Sequence, residues 1–316
     1  MPTALWTGGG SSSYLKEMFF GPRKLVKPDH LLPVLKTNLA ALDKNRDLVV
    51  WLGHSSYFIQ LGGRRILIDP VFSSHASPVP FLNKAFDGDY PYTPADMPDV
   101  DYVAISHDHW DHLDCPTMKA LNPKIKAVVA ALGIGSHLVR WGYAAEKIHE
   151  ADWYEQISLE PGLNIHVLPA RHFSGRGWRS NQTLWASFVL ETPTRKIFYS
   201  GDSGYGPHFA DVGERFGNVD LAIMENGQYD QHWAQVHMLP EEAVQATLDV
   251  RAAMLLPAHV GRFSLANHDW DEPYERISAA SEGKNFRLLT PMVGEVTDLD
   301  NPNQSVSRWW KKESRR

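Results

Sequence analysis

The chain has 316 residues, of which 43% are hydrophobic and 22% charged, and its formal net charge is −6. This is the composition of an ordinary globular protein, and the length allows one large domain or two smaller ones. No stretch approaches the roughly 20 apolar residues of a membrane span, residues 1–20 lack the pattern of a signal peptide, and a single cysteine excludes an intrachain disulfide.

The charge is unevenly distributed along the chain. Residues 305–316 carry a net +4, which leaves −10 for the rest. An acidic body argues against a nucleic-acid partner. Trp309 and Trp310 stand beside the lysines of the tail and could make a weak peripheral contact with an anionic membrane surface, although a solvated or locally packed tail is the favoured interpretation. We expect a cytoplasmic protein, with or without such contact, and the sequence leaves its oligomeric state open.

The predicted elements begin with a β-meander and continue as alternating strands and helices. Apolar patterning and the Gly62-Gly63 turn predict the first hairpin, and prolines and acidic residues mark several helix starts. Residues 35–42 have only weak helical periodicity. Five prolines in residues 71–100 predict a long irregular loop that could cover a site. The predicted strands are 47–52, 56–61, 65–68, 102–106, 127–131, 164–168, 184–190, 196–200, 221–225 and 254–256, and the predicted helices are 116–121, 134–141, 207–216, 240–250 and 272–280.

A dense histidine motif follows the strand at 102–106. Its sequence is His107-Asp108-His109-Trp110-Asp111-His112, of the form H-x-H-x-D-H. Neutral imidazole and carboxylate are ordinary zinc ligands, so the motif predicts a metal site, and a merely histidine-rich turn is the disfavoured alternative. Cys115 comes soon after the motif and is interpreted as a small buried residue at a helix start, not as a ligand.

Three further candidate ligands arrive at the ends of later strands. They are His172, Asp202 and His259. Seven nitrogen and oxygen ligands are too many for one tetrahedral zinc but suffice for two metals that share a carboxylate. We expect two divalent ions, with zinc as the default and manganese or iron as alternatives. The predicted division is His107, His109 and His172 on one ion, Asp111, His112 and His259 on the other, and Asp202 between them.

These motifs resemble the metallo-β-lactamase superfamily over about residues 47–291. Within it, the chain most resembles N-acyl-phosphatidylethanolamine-hydrolysing phospholipase D and its bacterial relatives, and it more distantly resembles the L-ascorbate-6-phosphate lactonase group. The segments that carry the resemblance are Trp51-Leu52-Gly53-His54-Ser55, Ile68-Asp69-Pro70-Val71-Phe72-Ser73, Leu184-Trp185, Gly201-Asp202-Ser203-Gly204-Tyr205, Pro240-Glu241-Glu242-Ala243 and Leu265-Ala266-Asn267.

The resemblance implies an α/β fold, an αββα sandwich of two mixed β-sheets flanked by helices with the metals at its rim. It divides the chain into an N-terminal peripheral segment at 1–45, a hydrolase domain at 46–300 and a basic tail at 301–316. It implies a dinuclear hydrolase that cleaves a small-molecule or lipid phosphodiester with a metal-activated water. A lactonase or other carboxylic-ester hydrolase is the alternative.

Several other residues are candidates for the site. Asp111 is expected to orient the attacking water as well as to bind metal. His237 is a candidate for substrate binding or proton donation, with a helix-capping role as the alternative. His54 is a similar candidate, and Asp69 is expected to hydrogen-bond a ligand histidine. The weaker candidates for the pocket are Tyr205, Gln228 and Asn267.

Overall fold

Two seven-stranded β-sheets form the centre of the fold. The computed structural model describes residues 24–88, 90–177, 179–304 and 307–311. In the first sheet the strands are β1 (Leu48–Gly53), β2 (Ser56–Leu61), β3 (Arg64–Ile68), β4 (Val100–Ile105), β5 (Ile125–Ala131), β6 (Ile148–Ala151) and β14 (Val296–Asp298). In the second sheet they are β7 (Gln156–Glu160), β8 (Leu163–Leu168), β9 (Ser187–Glu191), β10 (Lys196–Tyr199), β11 (Val219–Glu225), β12 (Ala252–Ala258) and β13 (Arg287–Leu288).

Both sheets are mixed. The first has the order β14-β1-β2-β3-β4-β5-β6, antiparallel as far as β3 and parallel from β3 to β6. The second has the order β13-β12-β11-β10-β9-β8-β7, with parallel pairing from β10 to β13 and antiparallel pairing on the other side. The helices in the described part of the chain are α1 (Cys115–Leu121), α2 (Gly135–Arg140), α3 (His208–Phe216), α4 (Pro240–Asp249) and α5 (Glu272–Ser281).

Apolar side chains from both sheets fill the space between them. Phe58 and Val103 of the first sheet belong to the same buried cluster as Phe188 and Leu256 of the second. Side chains of α1 and α2 pack on this cluster, and a second cluster joins the second sheet to α3, α4 and α5. Because both faces of the central strands are covered, β1 and β2 are buried at every position. The expected αββα sandwich is confirmed.

The sequence missed the four shortest or most polar strands. Those strands are β6, β7, β13 and β14. All five positions of β7 are exposed or half-exposed, and β13 has two residues. At these positions the backbone pairing partner decides the conformation, and the apolar pattern is weak. The predicted strand at 184–190 begins only at Ser187, because the amides of Leu184 and Ala186 donate to the carbonyls of Leu132 and Ser106 in the first sheet's connections.

Two smaller expectations are corrected. The weak helical pattern at 35–42 is a 3₁₀ turn over Leu39–Ala41. Cys115 is half-buried, not buried.

The described part of the basic tail packs on the domain. Trp310 is 1% exposed; its ring stacks on Tyr274 and its indole N–H donates to Glu275. Trp309 packs against Trp51. Both indoles therefore make packing contacts with the domain, Trp310 as a buried side chain and Trp309 as a half-buried one. No helix among the described residues has the length and apolarity to cross a bilayer. Residues 1–23 and 312–316 of the two predicted end segments lie outside the described residues.

Strand direction positions the functional side chains. β3, β4, β10 and β12 end at one edge of the sandwich, as does β8, which is parallel to β10 through their shared antiparallel neighbour β9. Asp69, His107, His172, Asp202 and His259 lie in the connections that leave these strands. Parallel strands therefore bring residues that are far apart in the chain to a common rim.

Candidate metal centre

The seven predicted ligands lie together at this rim. The Oδ2 atom of Asp202 is 3.1 Å from Nε2 of His112 and 3.4 Å from Nε2 of His259. It is also 3.8 Å from Nε2 of both His107 and His172. Asp202 thus stands between two sets of potential ligands. Ligand atoms within 4.8 Å of one another form three overlapping groups in the described part of the chain. The first is His107, His109, His172 and Asp202, the second is His54, Asp111, His112 and His259, and the third is Asp202, Glu225, His237 and His259.

The first group is a triangle of imidazoles. Nδ1 of His109 is 2.9 Å from Nε2 of His107 and 3.2 Å from Nε2 of His172. Nδ1 of His172 faces the carbonyl oxygen of Val236, and Nδ1 of His107 faces the hydroxyl of Ser106. These outer contacts occupy one ring nitrogen of His107 and of His172 and leave the other directed at the shared space, as in metal-ligating histidines.

The second group includes one residue that was expected only near the site. His54 is fully buried, and its Nε2 lies 2.8 Å from Oδ2 of Asp111. The same oxygen is 3.0 Å from Nε2 of His259 and 3.5 Å from Nε2 of His112. The His54 ring packs on His259, with centroids 4.4 Å apart. The ring nitrogen of His54 therefore lies among the possible ligand atoms of this group.

Asp69 holds the histidine motif in place through hydrogen bonds. Its Oδ2 accepts from Nδ1 of His112 at 2.8 Å and from the Tyr199 hydroxyl at 2.7 Å, and its Oδ1 accepts from the Ser106 amide. Asp69 is completely buried, with φ of +38° in the turn that follows β3. It fixes the His112 ring so that Nε2 faces Asp202.

Glu225 holds the ring of His259 as Asp69 holds that of His112, and the sequence prediction missed it. This fully buried carboxylate is the last residue of β11. Its Oε1 accepts from Nδ1 of His259 at 3.2 Å and from Nδ1 of His237, and its Oε2 accepts from the Ser203 amide. The available signal was that β11, like its neighbours, stops at an ionisable residue. His237 bonds Glu225 and does not cap α4, whose N-cap is Leu239.

Three side chains of the cluster, His107, His172 and Asp202, are in the ionisation states that metal binding requires, neutral imidazole and charged carboxylate. Burial lowers the pKa of His107 and of His172, which keeps these imidazoles neutral. Although burial opposes it, nearby imidazoles hold the pKa of Asp202 well below its usual range. Burial, and then the charge of Asp202, raise the pKa of Glu225 to about 8. Metal cations held by the neighbouring ligands would oppose that rise.

Two unpartnered atoms show that the residues fit a metal. Nε2 of His112 and Oδ1 of Asp202 are buried and hydrogen-bond to no group in the described part of the chain. Nε2 of His112 nevertheless lies within 3.1 Å of the Asp202 carboxylate, in an arrangement that is not a hydrogen bond. Buried polar atoms without partners are costly, and coordination would satisfy both of them.

The remaining predicted residues have other partners. The Tyr205 hydroxyl donates to Asp249 at 2.6 Å, at the end of α4. Gln228 is 4% exposed and its side-chain amide bonds four backbone groups of residues 259–266, so it shapes the loop that follows His259. Asn267 is half-buried in that loop, outside the ligand groups found among the described residues.

One side of the cluster is open. His109 and His237 are the partly exposed members, whereas the other ligand candidates are buried. Phe173 packs on His109, with centroids 4.6 Å apart. The guanidinium of Arg176 lies 4.0 Å from the centre of the Trp110 ring and donates to the Asp108 carbonyl, which holds the histidine loop in place. His109 and His237 therefore mark the side of the cluster that is nearest to solvent.

A buried His/Asp cluster at the rim of an αββα sandwich defines the chain as a metal-dependent hydrolase. The particular family follows from sequence comparison. Residues 64–260 match the family profile described as the beta-lactamase superfamily domain. The chain belongs to that superfamily, as its motifs indicated.

Two sequence relatives and one solved structure of similar fold illustrate the match. The chain is 38% identical over 289 residues to an uncharacterised protein of Mycobacterium tuberculosis, covering 90% of this chain and 77% of the relative. It is 30% identical over 294 residues to N-acyl-phosphatidylethanolamine-hydrolyzing phospholipase D 1 of Caenorhabditis elegans, covering 86% and 82%. Among solved structures, Igni18, a metallo hydrolase of Ignicoccus hospitalis, superposes with a TM-score of 0.60 at 21% identity, covering 79% and 97%.

Proposed function

We propose that the chain is a dinuclear metal hydrolase that cleaves a phosphodiester, of a small molecule or a lipid, in the manner of phospholipase D. One observation carries the proposal: Asp202 lies between two groups of ligand atoms, each large enough to hold a divalent ion. The named activity of the nematode relative supports the phosphodiester as the substrate. The proposed hydrolase domain is residues 46–300.

The ligand set favours two zinc ions, with manganese or iron as alternatives. His107, His109 and His172 would hold one ion, Asp111, His112 and His259 the other, and Asp202 would contact both. When bound, the ions would lower the pKa of a water molecule and stabilise the charge that develops on a phosphoryl oxygen. His54 fixes the Asp111 carboxylate through their 2.8 Å contact, and Asp111 in turn orients the water.

His237 is the proposed proton donor to the leaving oxygen. Glu225 accepts from its Nδ1, which leaves Nε2 free. Its ring centroid lies 5.1 Å from that of His172 and 5.3 Å from that of His259, and it is partly exposed on the open side. Burial lowers the pKa of His237, so its ring is neutral, and with the proton on Nδ1 its Nε2 is an acceptor. Nε2 would therefore first take up the proton that the attacking water releases and then deliver it to the leaving oxygen of the substrate.

The test joins metal content to product analysis. Purified wild type is expected to retain two metal equivalents by plasma mass spectrometry and to release phosphate-bearing products from N-acyl-phosphatidylethanolamine or bis(p-nitrophenyl) phosphate. Asp202→Ala and His109→Ala should lower kcat/KM by more than about a hundredfold, because the loss of a ligand exceeds the usual effect of an outer contact.

His166→Ala is the matched control, since His166 pairs with Glu191 on the second sheet at 2.8 Å and is not in the cluster. It should leave metal content and rate unchanged. Full activity in Asp202→Ala would refute metal-dependent hydrolysis by this centre. Release of a free carboxylate from lactones, with no phosphodiester cleavage, would instead identify an ester hydrolase.

A further inference from the structure

A cavity outside the metal centre contains a buried arginine that has no ion pair among the described residues. The cavity has a volume of about 560 Å³, and the proline-rich loop that follows β3 forms most of its wall. Arg262, three residues after the ligand candidate His259, lines it together with Lys84 and Tyr90. The loop is anchored to this wall, because the amide of Phe86 donates to the carbonyl of Arg262 at 2.7 Å.

The Arg262 guanidinium is only partly satisfied. It is 2% exposed, and its Nη2 donates to the Ser73 carbonyl at 3.0 Å. Its Nε and Nη1 hydrogen-bond to nothing in the described part of the chain. The ring of Tyr90 lies 4.3 Å away and that of Phe263 5.3 Å, so aromatic faces contact the cation and leave its planar donors unfilled.

The nearby acidic residues that the structure describes do not neutralise Arg262. Asp114 acts on it only at a distance, and its carboxylate is occupied by Ser73, through both the amide and the hydroxyl, and by Thr117. Asp87 lines the cavity but is exposed, and Lys84 on the same wall offsets its charge. A buried, unpaired cation carries a large desolvation penalty, which a bound anion would relieve.

We propose that this cavity binds an oxyanion of the phosphate type, held by Arg262 and Lys84. The fork of donors on arginine matches such an anion geometrically. Gly53 leaves room for the arginine stem, since a Cβ at that position would lie 3.3 Å from Cδ of Arg262. The site is distinct from the metal ligands, and the proposal does not depend on the reaction that they catalyse.

The anion could be free phosphate or a phosphate carried on an apolar chain. A second cavity of about 230 Å³ shares Asp87, Gly88 and Tyr90 with the first. Its remaining wall is mainly aliphatic and includes Leu31, which is 70% exposed. A phosphate with an alkyl tail could fill both cavities. The two sources share the same head-group chemistry and differ in the use of the aliphatic wall.

Calorimetric titration with inorganic phosphate tests the site. Because metals also bind phosphate, the titration is made on the metal-loaded wild type and on Asp202→Ala, and each substitution is added to both. One phosphate should bind to Asp202→Ala, and adding Arg262→Met should weaken that binding at least about tenfold, the effect of losing a charge-assisted hydrogen bond. Arg140→Met, which removes an exposed arginine of α2, is the matched control and should change nothing.

The proposal is overturned if Asp202→Ala binds no phosphate, or if Arg262→Met does not weaken the binding. Circular dichroism shows whether each variant folds. If Arg262→Met does not fold, Lys84→Met, at an exposed position of the cavity wall, replaces it. We expect Lys84→Met to weaken phosphate binding, and an unchanged phosphate affinity would refute the site. Decyl phosphate distinguishes the two sources. Binding at least about tenfold tighter than that of inorganic phosphate supports an oxyanion on an apolar chain, since buried methylenes add affinity, and equal binding supports free phosphate.

Discussion

Replacing Glu225 with glutamine tests how the metal centre is held. The carboxylate accepts three hydrogen bonds, from Nδ1 of His259, Nδ1 of His237 and the amide of Ser203. A glutamine of the same size has one acceptor oxygen. If that oxygen keeps the Ser203 amide, the glutamine NH₂ faces two imidazole N–H groups, and His259 must turn or change tautomer.

The expected loss is that of an outer contact to a ligand histidine, about 10–100-fold in metal affinity, which corresponds to about 1.4–2.7 kcal/mol. A competition titration against a chromophoric chelator measures it, and kcat on bis(p-nitrophenyl) phosphate should fall as well, because His237 loses the same partner. The matched control is Glu191→Gln, which alters a glutamate–histidine pair with His166 far from the cluster. Unchanged metal affinity and kcat in Glu225→Gln would refute the positioning role.

Two further predictions concern backbone space and acid stability. Gly201 has φ of +58°, and a Cβ there would lie 2.5 Å from the carbonyl oxygen of Ala186. The substitution Gly201→Ala should therefore displace the carboxylate of Asp202, which would lower both the metal content and the melting temperature. Gly63→Ala, at φ +79° with nothing within 4 Å, should cost only about 1–2 kcal/mol, and an equal loss in both variants would contradict the steric argument. Although partial burial opposes it, hydrogen bonds from Lys36 and from a neighbouring threonine lower the pKa of Asp96 to about 2, from an ordinary 3.8. The lowered pKa contributes stability that is present above pH 4 and is lost as the pH falls towards 2. In urea titrations, the free energy of unfolding of Asp96→Asn should therefore be below that of wild type at pH 6, and the difference should be smaller at pH 2. An equal difference at both pH values would contradict this prediction.

The local sequence was informative wherever chemistry and periodicity coincide. The H-x-H-x-D-H motif follows a continuous apolar strand, and His172, Asp202 and His259 each follow another. Such strand ends imply a shared rim if the strands run the same way, and the structure places all these side chains around Asp202. Continuous burial also made most central strands easy to predict, because every position in them is apolar or engaged in pairing.

Other features depend on partners that are distant in the sequence. Edge strands β6, β7, β13 and β14 are too short or polar to be recognised, and they form because a neighbouring strand supplies their hydrogen bonds. For Trp309 and Trp310 the sequence favoured a solvated or packed tail over a membrane contact, but it did not identify the packing partners, which are Trp51 and Tyr274.

The sequence by itself therefore determined the fold family and the seven candidate ligands, since these depend on residue type and on position after a strand. Only the tertiary structure brought His54 to Asp111, placed Glu225 between His237 and His259, and buried Arg262 with two of its nitrogens unpartnered in the described part of the chain. The physical reason is the same in each case. Hydrogen bonding and desolvation depend on which groups share a volume, and chain folding sets that for residues far apart in the sequence.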